Sequence, residues 1–265
     1  MRPSLLLVGI PILALRSADL LPPRAHLVDV IADNYYLKAP DTLPAGLTTL
    51  RLQVRDGMHM AILVRLDSGH TAADLLRARP EGHPRPSWMH FIGGPGFPPP
   101  NGSDNATMIL VPGNYLLLCD VRDRDGAWHV EKGMFHPIVV RAKRTLSRAA
   151  LPRPDAVVEM RDYRFVFWKP IHAGNRTLRV VNDGSVLHEF RLVHVLPGHT
   201  GQESMNWKPS DGTPRPDEDI AALVAIPPGG ELTTSIAFKK GEYVVFCVPE
   251  IAHGMMQLLR VDVGS

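Results

Sequence analysis

The chain holds only two cysteines in 265 residues, Cys119 and Cys247, and each ends a closely similar aromatic and aliphatic run. Both runs lead into a short segment holding a histidine and a methionine. The first reads GNYLLLCDVRDRDGAWHVEKGMFHP over residues 113 to 137, and the second reads GEYVVFCVPEIAHGMM over residues 241 to 256. Nine residues separate Cys119 from His129 and four separate His129 from Met134; five separate Cys247 from His253, with Met255 and Met256 just beyond. Thiolate, imidazole and a weak thioether form the donor set of a blue-type copper site once a second imidazole joins them. The expectation is two such sites, each with its Cys delivered by a strand and its His and Met by the following loop.

The second imidazole comes from a duplication. Internal repeats decide architecture before any local pattern does, and the two halves match at an offset of 128 or 129 residues. Ala45-Gly46 followed by LTTLRL matches Ala173-Gly174 followed by NRTLRV, HMAILVRL from His59 matches HEFRLVHV from His188, and Gly69-His70-Thr71 matches Gly198-His199-Thr200. His59 and His188 therefore open equivalent segments, each upstream of its own Cys. Strands are expected at Thr48 to Val54, His59 to Leu66, Tyr115 to Cys119 and Ile138 to Val140. Their repeats are expected at Thr177 to Val181, His188 to Val195, Tyr243 to Cys247 and Leu258 to Val263, from runs of β-branched and aromatic residues. The Pro- and Gly-rich stretches Pro80 to Asn105 and Gly201 to Asp219 read as surface excursions that cover or gate a site.

Composition narrows the class. A formal charge of +2 with 21% charged residues gives no footprint for nucleic acid or for a polybasic membrane contact. With 25 prolines and 22 glycines, the pattern is one of short strands joined by turns, and the expected class is all-β. Arg2 precedes an apolar run from Leu5 to Leu15, which reads as an export signal over residues 1–22, or as an uncleaved N-terminal anchor. Export implies a periplasmic or secreted protein. Export also makes a disulfide worth weighing, but a bridge between corresponding interior strand ends of two separate units is geometrically awkward. The units are expected at residues 23–143 and 155–265, joined by a basic, proline-ended linker at 144–154.

The order of early His, Gly-x-Tyr, strand, Cys, loop His and Gly-Met, present twice, resembles the cupredoxin family of blue copper proteins in a tandem two-domain form. That resemblance spans roughly residues 27 to 263. It implies two tandem Greek-key β-sandwich domains, with His59, Cys119, His129 and Met134 holding one copper ion and His188, Cys247, His253 and Met255 another. The tight spacing in the second copy leaves its axial group open between Met255 and Met256.

Two-domain relatives within the wider family include nitrite reductases and small laccases, whose catalytic centres take further histidines and are wired through a His adjacent to the blue-copper Cys. Here Leu118 and Asp120 flank Cys119, Phe246 and Val248 flank Cys247, and no His-x-His pair occurs anywhere in the chain. The sequence therefore leans away from an oxidase or a nitrite reductase. It leans toward a one-electron carrier that meets a redox partner protein, with no catalytic residues assigned. Copper storage or delivery, and a sandwich that has lost its metal, are the alternatives.

Overall fold

The computed structural model describes residues 25–78, 86–98, 101–143 and 150–264. The apolar N-terminal run and most of the linker lie outside them. The first copy contributes β1 (His26–Asp33), β2 (Tyr36–Lys38), β3 (Thr42–Pro44), β4 (Gly46–Val54), β5 (Ile62–Leu66), β6 (Met89–Pro95), β7 (Ser103–Leu110), β8 (Gly113–Leu118) and β9 (Phe135–Arg141). The second contributes β10 (Ala156–Arg161), β11 (Arg164–Phe167), β12 (Gly174–Asn182), β13 (His188–Val195), β14 (Asp217–Ile226), β15 (Glu231–Phe238), β16 (Gly241–Phe246) and β17 (Met256–Val261). Burial alternates along the opening strand of each copy, with Val28, Val30 and Ala32 inside on β1 and Ala156, Val158 and Met160 inside on β10. This period of two places one face of each sheet in the core.

The strands form two sheets, and both run through the two copies. One sheet has the order β11-β10-β12-β15-β7-β4-β1-β2, and the other β17-β16-β13-β14-β6-β5-β8-β9-β3. Each order reads outward from its centre as one copy and then its repeat. The halves are thus related by an approximate two-fold at the β15·β7 and β14·β6 seams. Even registers repeat: β1 pairs parallel with β4 from His26 opposite Thr48, and β10 pairs parallel with β12 from Ala156 opposite Leu178. The protein is all-β, with two tandem Greek-key sandwiches.

Few ladder pairs cross the seam, so side chains complete it. Thr107 faces Thr233, and Gly94 and Pro95 face Val224 and Leu223. The Asn105 side-chain amide donates to the Ser235 carbonyl at 2.9 Å and accepts from the Ser235 amide at 3.0 Å, standing in for a peptide group. Beside it, the buried Asp104 carboxylate accepts from the Ala222 amide at 2.6 Å. The Asn105 triplet, which has the form of a glycosylation site, therefore sits inside the seam.

Several expected strands extend by a few residues, while β5 begins at Ile62, so His59 precedes the strand it was expected to open. The two excursions are corrected more substantially. Residues 80 to 105 contain β6 and the start of β7, and residues 201 to 219 contain a short helix, α2 (Gly201–Asn206), and the start of β14. The Gly-Gly-Pro-Gly run that suggested a loop is a strand whose glycines are demanded by crowding. A Cβ on Gly94 would lie 1.9 Å from the Ala61 carbonyl oxygen. The repeated Gly-His-Thr is a helix start: Thr71 caps α1 (Ala72–Arg77) with Asp74 completing a capping box, and Thr200 caps α2 with Glu203.

Gly94→Ala is expected to destabilise the chain by roughly 1–3 kcal/mol, the usual cost of overpacking, and a denaturant titration that leaves the midpoint unchanged would contradict this packing. Asp104 generates a second expectation. Burial pushes its carboxyl up to about 7 from an ordinary 3.8, so between these values the folded chain holds a proton that the unfolded chain has released. Its contribution is fullest in acid and is lost as pH rises through about 7. Glu189, also pushed up to about 7 by burial, titrates in the same window and is common to both chains compared. The difference in thermal stability between parent and Asp104→Asn should therefore shrink or invert with rising pH, and a pH-independent difference would count against the assignment.

Candidate metal centres

Three ligand-type side chains of the first copy converge. His59 lies just before β5, Cys119 just after β8, and His129 in the loop between β8 and β9. Their donor atoms all lie within 4.8 Å of one another. The Nδ1 atoms of His59 and His129 are 3.2 Å apart, and they stand 3.8 and 3.6 Å from the Cys119 sulfur. All three residues are buried, as is Met134.

Backbone hydrogen bonds bring the loop to the sulfur. The Cys119 amide donates to the Met134 carbonyl at 3.1 Å, and the Met134 amide returns to the His129 carbonyl at 2.9 Å. The Met60 amide donates to the Cys119 sulfur at 3.5 Å, so the segment carrying His59 also grips the thiol. Outside this set, the Tyr35 ring stands edge-on to His129 at 5.0 Å. Its hydroxyl bonds Asp123, which also holds Lys132 at 2.6 Å. Burial, then the neighbouring His129, holds the His59 imidazole below its ordinary value, and burial does the same for His129. Neutral imidazole is the form that binds metals. Tyr35, Asp123 and Lys132 carry no recognisable motif, and sequence reasoning missed them.

The second copy is built on the same frame with different contents. The Cys247 amide donates to the Met255 carbonyl at 3.1 Å, as Cys119 does to Met134. The buried Met255, not the partly exposed Met256, is therefore the counterpart of Met134. His188 places Nδ1 3.7 Å from the Cys247 sulfur, and the Glu189 amide donates to that sulfur at 3.2 Å. His253 does not join them. Its side chain is 60% exposed, with Nδ1 2.7 Å from Glu250 Oε2 and its ring 4.9 Å from Tyr163.

The two ligand loops face each other across a cavity of about 390 Å³ lined by Met60 and Trp128 from one copy and Glu189 and Arg191 from the other. Arg191 reaches over the seam, its guanidinium carbon 3.8 Å from the Phe97 ring centre. Each sandwich thus carries a histidine and a strand-end cysteine at the end facing its repeat, with a Gly-Met turn beneath. Each copy has the cupredoxin fold.

Among solved structures, the chain is similar to reduced auracyanin from Roseiflexus castenholzii, at 18% identity over 44% of this chain and 98% of that one, with a TM-score of 0.32. It is also similar to auracyanin A, described as a blue copper protein from Chloroflexus aurantiacus, at 20% identity over 43% of this chain and 98% of that one, TM-score 0.31. A third is a blue copper oxidase from Nitrosomonas europaea, at 13% identity over 89% of this chain and 86% of that one, TM-score 0.26. No family model matches the sequence, and no curated protein does either.

Both cysteines are free and fully buried, and burial pushes each thiol up to about 11. Neither should react with an aromatic disulfide reagent near neutral pH until the metal-free chain is unfolded, when two thiols should appear. Rapid reaction of a thiol in the native chain would contradict the burial.

Proposed function

We propose that this protein is an exported one-electron carrier whose first unit holds a blue-type copper ion between His59, Cys119, His129 and Met134. The observation that carries the reading is the convergence of two imidazole nitrogens and one thiol sulfur within 4.8 Å in a buried pocket. That donor set fits copper, which favours thiolate and imidazole with a weak axial thioether. A bound ion would supply a couple between Cu(I) and Cu(II).

The chain's own part is to hold the donors still. Cys119 and Met134 are locked by one backbone hydrogen bond, and His129 is braced by Tyr35 and the Asp123–Lys132 pair. Burial keeps water from the sulfur, and the Met60 amide fixes its position. The residues flanking Cys119 are Leu118 and Asp120, so no imidazole leads from the sulfur to a second centre. This supports a carrier over an oxidase or reductase. Among the described residues no helix is long and apolar enough to cross a membrane, and the apolar run after Arg2 supports export.

The test is a visible spectrum with metal analysis after loading Cu(II). An intense thiolate-to-copper band, lost in Cys119→Ser and reversibly bleached by one electron per ion, is expected. Copper that binds but exchanges quickly to a Cu(I) chelator would favour storage or delivery, and no bound copper would favour a sandwich without metal.

A further inference from the structure

The loop hydrogen bonds set the register between the two centres, and that register does not align the two loop histidines. In the first copy the His129 carbonyl accepts from the amides of Lys132 at 3.1 Å and Met134 at 2.9 Å. In the second copy the carbonyl that accepts from His253 at 3.0 Å and Met255 at 3.2 Å is that of Glu250. The next bond agrees: Gly133 donates to Val130 and Gly254 donates to Ile251. Gly133 and Gly254 share the left-handed conformation, with φ of 95° and 84°. Glu250 therefore stands where His129 stands, and His253 stands where Lys132 stands.

The side chains confirm that correspondence. Lys132 lies over the Tyr35 ring at 4.6 Å, and His253 packs on Tyr163, the repeat of Tyr35, at 4.9 Å. Lys132 pairs with an acidic residue, and His253 pairs with Glu250. His253 is thus an outer partner that holds a carboxylate. On the other side of the sulfur, Asp162 lies 3.1 Å from His188 Nε2. A proton held there leaves Nδ1, which faces Cys247, with a free lone pair.

We propose that the second unit is a distinct metal site, formed by His188, Cys247 and Glu250 with Met255 beneath, that takes a divalent cation of the zinc type. The inference stands apart from the copper reading of the first site and replaces His253 by Glu250 in the second. Two anionic donors and one imidazole neutralise a 2+ ion, and they disfavour the monovalent state that a cycling copper must reach. Cysteine, histidine and a carboxylate are ordinary zinc donors. Among the described residues only the donors of the first copy lie within 4.8 Å of one another, so Glu250 would reach the ion by turning its carboxylate from His253, which then bonds the second carboxylate oxygen.

The test uses the full metal-free chain carrying Cys119→Ser, which isolates the second site, and titrates Co(II) as a visible probe with Zn(II) in competition. One equivalent should bind with a thiolate-to-cobalt band, and Zn(II) should displace it. Glu250→Ala should weaken Zn(II) binding at least about tenfold, a loss of the size seen when metal-site partners are removed, while His253→Ala should weaken it less. Glu250→His should create a two-histidine set and give an intense band with Cu(II). If His253→Ala abolishes binding while Glu250→Ala leaves it intact, or if neither ion binds, the assignment is overturned. A failure of the copper reading would show instead in Cys247→Ser, where only the first site remains.

Discussion

The frame of both candidate centres depends on one short backbone contact, the amide of each cysteine donating to the carbonyl of the methionine that ends its loop. The bond joins the end of one strand to the start of the next, so the cysteine and the methionine stay paired through the backbone in both copies although their loops differ in length. The first loop carries fourteen residues between its Cys and Met and the second carries seven. Loop closure costs little more as length grows, and the fixed point absorbs the difference. What the length does change is which residue occupies the backbone position whose carbonyl accepts from the methionine amide. A hairpin excursion closed by the Arg122–Trp128 bridge returns His129 in the first copy, while the shorter path presents Glu250 in the second.

The duplication, the fold class and the early histidines were legible because they rest on repeated patterns: strands of period two, a Gly-x-Tyr before each Cys, and a His at equal offset. The same patterning failed at Gly93-Gly94-Pro95-Gly96, where close backbone approach to Ala61 makes a strand look like a turn. The partners of the ligand loops were illegible for a different reason. Tyr35 and Asp162 lie far from either Cys in sequence and are brought in by the parallel pairing of β1 with β4 and β10 with β12. The loop register itself was present in the sequence, since Gly133-Met134 aligns with Gly254-Met255, but alignment on the nearest histidine concealed it.

The seam gives the two centres a common wall. Met60 and Glu189 occupy equivalent positions after the early histidines, both donate an amide to the sulfur of their own copy, and both line the cavity between the loops. One is apolar and the other carries a buried carboxyl whose Oε2 finds no hydrogen-bond partner among the described residues. The electrostatic surroundings of the two sulfurs therefore differ although their backbone frames coincide. Burial is the main cause that raises the Cys247 thiol, and the nearby Glu189 and Glu250 carboxyls add to it.

The approximate two-fold relating the halves has the geometry of a homodimer interface, in which each contact must serve both sides at once. In a true dimer, a change from histidine to glutamate would strike both centres, and Asn105 would have to meet its own copy's equivalent of Ser235 twice. Tethering the halves in one polypeptide removes that obligation. Asn105 faces a serine on one side of the axis, while its own repeat, Thr233, faces Thr107 on the other. Covalent linkage has turned a symmetric interface into one where each half is free to specialise without dragging its twin along.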